Sequence, residues 1–487
     1  MSTAVAPRTP SWRLAAPAVV TVVVLLVFAG RYGFHRDELY FMADADHLAW
    51  GYVDHPPLTP VIGMVSQAIF GDTVFGLRVI PALIAGAVVW CTGGVCAELG
   101  GDATTRQLAS WAVAGSTAVL AMGHMLTTPG ADVLAWTVAL WLLIRLVRTQ
   151  DPRWLMAIGA VIGVGLLNKF TMLFAVAAFG GGLLLTPQRR VLASWWTLVG
   201  AAIAVAMWAP HLVWQVQHGW PLFEFSRAIA DEAAENRVLT LPYPFMLLGP
   251  PVAVVAAIAL WRVARGRVLV PYRFVAYGWA ILVLLLLATG GKPYYLAGAL
   301  PTAAAVGAVW WVQRPGWRRR RTAVVVAING AVSVLIALPV LPVDTFVGSP
   351  AAAVFPEPLE MIGWPEFVDQ VAADYAEIDD GSRSAVVFAG NYGEAGAIDR
   401  YGGARGLPRA YSGHNSYADF GVPPGSAGPV LVIGFDDPTT WFVGCRALDP
   451  IVMPHDIDTE EQGRPVWACD APVRAWSDLW SDLRHVD

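Results

Sequence analysis

FHRDELYFMADADHLAWGYVDHPPLTP, residues 34–60, sets five acidic residues and three histidines into a chain of 487 residues that is 56% hydrophobic and only 14% charged. Charge gathered this way needs water, so the fold turns on which side of a membrane supplies it. On either side of this stretch the chain is apolar, and its mean hydropathy is +0.53. Apolar runs lie near residues 14–30, 78–98, 108–126, 131–147, 154–168, 170–186, 193–210, 243–261, 270–288, 296–312 and 322–340. Each is long enough to cross hydrocarbon, which predicts a polytopic α-helical membrane protein of about eleven spans. The first run follows Arg8 and Arg13; its length and the missing small-residue site after a polar region favour an uncleaved anchor, with a cleaved signal peptide as the alternative.

Arginine placement gives the orientation. Arg8 and Arg13, Arg106, Arg145 with Arg148 and Arg153, Arg189 with Arg190, Arg262 with Arg265 and Arg267, and Arg314 with Arg318–Arg321 occupy alternate loops. Such loops face the cytoplasm. The opposite loops hold Asp37, Glu38, Asp44, Asp46 and Asp54, then Glu224, Asp231, Glu232 and Glu235. Residues 1–340 therefore read as a transmembrane domain with external loops 31–77 and 211–242, set in the cytoplasmic membrane with its N-terminus inside. The net charge of −5 says little about partners, because charges on the two faces of a membrane protein act separately; no basic block resembles a nucleic-acid surface, so no nucleic-acid partner is expected.

An odd number of spans places residues 341–487 outside as a soluble α/β domain. In it AVVFAG (385–390) and PVLVIGF (429–435) read as buried strands, and PEFVDQVAADYAEI (365–378) as an amphipathic helix. Cys91 and Cys96 fall inside the second span, whereas Cys445 and Cys469 lie where oxidation persists, so a Cys445–Cys469 disulfide is expected, with two buried thiols as the alternative.

In the first external loop, Leu39, Met42 and Leu48 sit among acids, the pattern of a helix lying flat at the interface. The prolines of GYVDHPPLTP stop a helix from continuing through Asp54, and VIGMVSQAIFG after them is too short to span. It reads as a second juxtamembrane helix. An external Asp-Glu directly after the first span, two loop helices, an acid-basic-Pro-Pro element and FGDTVFGLRV (70–79) together resemble the polyprenyl-phosphate-sugar glycosyltransferases of GT-C fold. The relatives in view are the protein O-mannosyltransferase and aminoarabinose transferase families. The resemblance covers roughly residues 14–320 and takes in TTPGADVLAW (127–136), GLLNKF (165–170) and KPYYLAGALPT (292–302).

That resemblance implies an inverting transfer from a polyprenyl-phosphate-linked sugar to a glycan, lipid or protein acceptor, among membrane lipids. Such a reaction needs a base for the acceptor proton and cations for the departing phosphate. Asp37 matches the family's catalytic Asp; capping of its own helix is the alternative. Asp132 matches an assisting Asp, or complements a helix dipole. Lys169 and Lys292 are the two lysines beside 30 arginines, and both stand at external helix ends. They suit a lipid phosphate as point charges, and snorkelling is the alternative. Arg78 is a further phosphate candidate, followed by Arg31 and Arg227. Glu38, Tyr40, His55, Tyr294 and Tyr295 are expected to touch acceptor or sugar. The ammonium groups and the acidic loop are expected to serve one headgroup.

In the aminoarabinose transferases a first-loop acid joins a distant His at a divalent metal, to which Asp54 and His218 correspond; protein O-mannosyltransferases do without one, and ordinary polar contacts are the alternative. The loop HLVWQVQHGWPLFEFSRAIADEAAEN (211–236) interleaves aromatics with polar groups, as a substrate gate or an interfacial helix does. In the soluble domain, GNYGEAGAIDRYG (390–402) and AYSGHNSY (410–417) bring Glu394, Asp399, Arg400, His414 and Asn415 as candidate contacts to acceptor glycan or donor headgroup. No GxGxxG is present, which argues against a nucleotide. The competing function is a transporter or lipid-linked sugar flippase, for which repeated halves and midplane charges are expected and not seen.

Overall fold

The computed structural model describes residues 11–379 and 385–486; Arg8, counted above among the cytoplasmic charges, lies outside them. Two compact units emerge. One runs up to Ala29 and continues through Arg78–Trp214 and Ala230–Leu338; the other joins Gly30–Leu77, Gln215–Ile229 and the chain from Pro339 onward. The first unit ends at Leu338. The loop 31–77, however, belongs with the C-terminal tail rather than with the helices that flank it in sequence.

The first unit is helical. Among the described residues, six helices are long and apolar enough to span: Val74–Glu98, Thr128–Thr149, Trp195–Gln217, Val270–Thr289, Pro293–Val312 and Arg319–Ala337. Other apolar helices are shorter, including Trp154–Leu166, Thr171–Leu184 and Pro250–Ala264. Where the sequence reading counts about eleven full spans, several runs break. The run 108–126 divides into Ala103–Ala114 and Thr117–His124, because Ser116 caps the second piece through the Val119 amide at 3.3 Å. The run 243–261 divides at Gly249, whose φ of 82° ends Tyr243–Leu248 before Pro250 starts the next helix. Carbonyls freed by these breaks need donors in an apolar setting. Asn329 supplies both, donating to Gly115 O at 3.0 Å and Leu248 O at 3.1 Å.

Helix contact in this unit uses small residues. A Cβ on Gly182 of Thr171–Leu184 would lie 2.6 Å from the Gly278 nitrogen of Arg273–Thr289, so these helices meet backbone to backbone.

The second unit holds a five-stranded sheet. Its strands are β1 (Val386–Ala389), β2 (Ala410–Ser412), β3 (Val430–Ile433), β5 (Arg446–Ala447) and β6 (Val466–Cys469), in the order β2-β1-β3-β6-β5. β4 (Phe442–Val443) and β7 (Ala471–Pro472) form a separate ribbon. β1 runs parallel to both β2 and β3, and β3 is antiparallel to β6. The alternate inward residues Phe388, Val430 and Val432 pack with Phe442, Trp476 and Trp480 into a core. Helix Trp364–Ile378 buries Phe367, Val368 and Val371. Cys445 and Cys469 are joined in a disulfide.

The helix of the opening stretch, Arg36–Asp46, does not lie with one face open as an interfacial helix would. Arg36, Glu38, Leu39, Tyr40, Phe41, Ala43 and Asp44 are all buried, which takes in both its polar and its apolar sides. The cause is helix Tyr392–Tyr401, so close that a Cβ on Gly396 would lie 2.9 Å from the Leu39 Cβ.

Candidate functional site

In the helical unit the starts of three elements meet at Lys169. Thr128 opens Thr128–Thr149, Lys169 stands just before Thr171–Leu184, and Tyr294 lies in the 3-10 turn Pro293–Ala299. The Lys169 ammonium donates to Thr128 Oγ1 at 2.9 Å and Tyr294 OH at 3.2 Å. It also lies 4.8 Å and 5.3 Å from the ring centroids of Tyr294 and Tyr295, within cation–π range. Asn168 fastens the same corner by donating to Thr128 O at 2.8 Å. A half-buried ammonium surrounded by helix starts is an anion-attracting arrangement, since helix N-termini carry partial positive charge.

Asp132 is one turn into the first of these helices and only 5% exposed. Its Oδ2 accepts from Thr171 Oγ1 at 2.7 Å and its Oδ1 from Trp136 Nε1 at 3.1 Å. Oδ2 therefore ties this helix to Thr171–Leu184 beside Lys169, while Oδ1 holds Trp136 one turn along the same helix. Lys292 forms an ion pair with Glu232 at 3.5 Å; at 32% and 53% side-chain exposure the pair contributes under about 1 kcal/mol. Arg78 is fully buried, with its guanidinium donating to Ala29 O at 3.0 Å and lying 3.3 Å from His124 Nε2, so it braces the start of its span.

In the second unit Asp37 is half-buried. Tyr392 OH donates to its Oδ1 at 3.0 Å. Capping of this helix is done by its neighbours: His35 Nδ1 accepts from the Asp37 amide at 3.1 Å, and Glu38 accepts from the His35 amide at 2.9 Å. The Asp37 carboxylate is thus not needed as a cap.

Three residues expected to touch sugar or acceptor are interior groups instead. Glu38 is 0% exposed and closes the capping box. Tyr40, 1% exposed, donates to Asp54 Oδ1 at 2.8 Å and accepts from the Ser416 amide at 3.1 Å. His55, 2% exposed, lies 3.0 Å from Asp44 Oδ2 and 3.9 Å from Asp54 Oδ1. Burial opposes charge on His55, yet Asp54 and Asp44 hold its pKa up to about 9. Burial likewise lifts Asp44, to about 7, against the pull of His55. The cause is tertiary: packing against Tyr392–Tyr401 closes over a loop that looks solvated in sequence.

The metal expectation concerns Asp54 and His218. Asp54 is engaged by Tyr40 and faces His55, His218 is exposed, and no group of three His, Cys, Asp or Glu among the described residues is arranged to hold an ion. Sequence reasoning missed Tyr392 as the partner of Asp37, Thr128 and Thr171 as the frame of Lys169 and Asp132, and Glu232 as the partner of Lys292. Tyr392 lies inside the flagged stretch GNYGEAG, but its reach to Asp37 leaves no local signal.

A bundle of apolar helices with its first loop packed into a C-terminal α/β unit defines a multi-pass membrane protein of GT-C fold, the fold of ArnT. ArnT from Cupriavidus metallidurans in the apo state superposes over 94% of this chain and 97% of its own, with TM-score 0.60 at 14% identity. The same protein bound to undecaprenyl phosphate gives TM-score 0.61 over 94% and 98%, also at 14% identity. In sequence, residues 54–214 match the family model for dolichyl-phosphate-mannose-protein mannosyltransferase. The chain is 27% identical over 256 residues to lipid A galacturonosyltransferase RgtD of Rhizobium johnstonii, across 50% of this chain and 52% of that protein. The match thus spans about half the length of that curated relative.

Proposed function

We propose that the protein is a membrane glycosyltransferase that moves a sugar from a polyprenyl-phosphate-linked donor to an acceptor hydroxyl, with inversion at the anomeric carbon. The observation that carries this reading is the Lys169 ammonium held by Thr128 and Tyr294 where three helix starts converge. A lipid-linked phosphate needs a fixed cation of this kind at an apolar boundary. The fold supports the same class of donor, since ArnT was captured with undecaprenyl phosphate.

In the proposed step the acceptor oxygen bonds to the anomeric carbon while the bond from that carbon to the phosphate oxygen breaks. The electron pair leaves with the phosphate, whose charge Lys169 and Lys292 balance. Asp37, oriented by Tyr392, takes the acceptor proton as general base. Asp132 acts as a positioning residue by holding Thr171 and Trp136 beside Lys169. No step is assigned to a metal. The name of the matched relative points to a lipid-linked saccharide as acceptor. The alternate arginine loops and the Cys445–Cys469 disulfide support a cytoplasmic-membrane protein with its α/β unit outside.

The test is reconstitution in vesicles with radiolabelled undecaprenyl-phosphate sugars and lipid A. A new labelled glycolipid is the expected product. Label that crosses the bilayer without a new glycosidic bond would make the protein a transporter instead.

A further inference from the structure

The α/β unit contains a cavity of about 340 Å³ that the transfer reading does not use. Its position follows from topology. From β1 the chain passes through helix Tyr392–Tyr401 to β2 on one side, whereas β3 lies on the other side of β1. The strand order therefore reverses between β1 and β3, and a crevice opens at the carboxyl ends of these two parallel strands. Gly390 after β1 and Gly434 after β3 line it. Gly434 has φ +82°, and a Cβ there would come within 3.0 Å of Glu394 Oε1.

Glu394 is a buried polar group of this cavity, beside the buried His414. It is 0% exposed, and its Oε2 accepts from the amides of Gly390 at 2.8 Å and Asn391 at 3.2 Å. That leaves Oε1 toward the cavity, with no hydrogen-bond partner among the described residues. A carboxyl oxygen at full burial without a partner is unfavourable unless a ligand or water completes it. Burial, with help from the neighbouring carboxylate of Glu461, pushes the Glu394 pKa up to about 7, so near neutral pH the group both donates and accepts.

The chemistry of the walls narrows the ligand. A phosphate or nucleotide would need the first amides of helix Tyr392–Tyr401, but Asn391 Oδ1 already accepts from the Glu394 amide at 2.8 Å and Glu394 holds the amides before it. The charged rim balances: the carboxylates Glu460 and Asp482 stand with the guanidiniums Arg464 and Arg484, and beyond the rim Glu460 pairs with Arg36 at 2.7 Å, Arg484 with Asp419 at 2.8 Å and Asp482 with Arg474. It offers no net charge to a charged ligand. Phe435 and Trp441 add an aromatic wall, their ring centroids 5.7 Å apart at 70°. Aromatic faces beside a carboxyl that both donates and accepts suit a molecule with apolar C–H faces and hydroxyl edges.

We propose that this cavity is a binding site for an uncharged saccharide, one or two pyranose rings in size, recognised by Glu394 through vicinal hydroxyls and by Trp441 through stacking. The volume falls at the lower end of ligand pockets, which run from about 300 to 1,000 Å³. The inference is independent of the transfer reaction, because occupancy is read without turnover.

The experiment uses the full chain in lipid nanodiscs and saturation-transfer-difference NMR with methyl mannopyranoside, methyl galactopyranoside, methyl glucopyranoside and maltose, with inorganic phosphate as competitor. At least one glycoside is expected to bind saturably, with Kd raised at least about tenfold in Glu394→Gln and in Trp441→Ala. Phosphate is expected not to compete. Trp441→Ala leaves the capping of helix Tyr392–Tyr401 intact, so it decides the matter if Glu394→Gln lowers the melting temperature. No saturable binding by any of the four glycosides, wild-type affinity in Trp441→Ala, or competition by phosphate would each overturn the assignment.

Discussion

Tyr392 donates a hydrogen bond to Asp37 Oδ1 at 3.0 Å across 355 positions of sequence. The same ring stacks on Tyr40 with centroids 4.6 Å apart and lies under the Arg36 guanidinium at 5.0 Å. Its plane is fixed by packing and its hydroxyl by Asp37. Tyr392→Phe keeps the packing and removes the hydrogen bond. Initial transfer rates should fall about tenfold, with donor KM nearly unchanged. A rate equal to wild type would show that Tyr392 does not orient the base.

Lys169 contributes charge where Thr128 and Tyr294 fix it. Lys169→Met retains the stem and its apolar contact but removes the ammonium. Affinity for undecaprenyl phosphate, read by intrinsic tryptophan fluorescence, should weaken about ten- to a hundredfold, in line with a lost charged hydrogen bond. Unaltered affinity would remove Lys169 from the donor site.

Asp132 is bonded at both oxygens by Thr171 and Trp136. Asp132→Ala would leave a buried hydroxyl and a buried indole N–H without their acceptor, so thermal stability should drop by about 2–4 kcal/mol. Asp132→Asn, which preserves one acceptor oxygen, should lose less. If Ala and Asn variants melt alike and only activity is lost, Asp132 meets substrate directly and is more than a positioning residue.

The α/β unit should lose stability as pH rises from acid to mildly alkaline. Glu394 and Glu360 have pKa values raised from 4.5 to about 7, in each case chiefly by burial. A raised folded-state pKa gives stability that is complete below the unfolded value and is lost as pH rises through the folded one, here between about pH 4.5 and 7. His55, raised from 6.5 to about 9, extends the decline in the same direction. Glu394→Gln should flatten the lower part of the profile, removing up to about 3 kcal/mol of pH dependence. Melting temperatures that increase from pH 5 to 8 would contradict this.

How much of this was legible in the sequence depends on the range over which each feature is set. The apolar runs, the two core strands around Val387 and Leu431 and the helix through Phe367 show their periodicity locally, and all three kinds of element appear near the expected residues. The breaks at Ser116 and Gly249 are also local, yet long apolar runs mask them, and the partner that satisfies both, Asn329, is far away in sequence. Cys445 and Cys469 were readable because the other two cysteines, Cys91 and Cys96, fall inside an apolar run. The opening stretch misled for the opposite reason. Glu38, Tyr40 and His55 look solvated, and only the approach of Gly396 to Leu39 turns that helix into an interior element.

The most direct measurement is the single-turnover rate of sugar transfer by Asp37→Asn, with donor binding determined on the same sample. His35 and Glu38 cap the helix without help from the Asp37 carboxylate, so this variant should fold and bind donor as wild type does. Transfer slowed by about 10²–10⁴ at unchanged donor affinity is the expected result for a missing general base. Transfer near the wild-type rate would contradict the account.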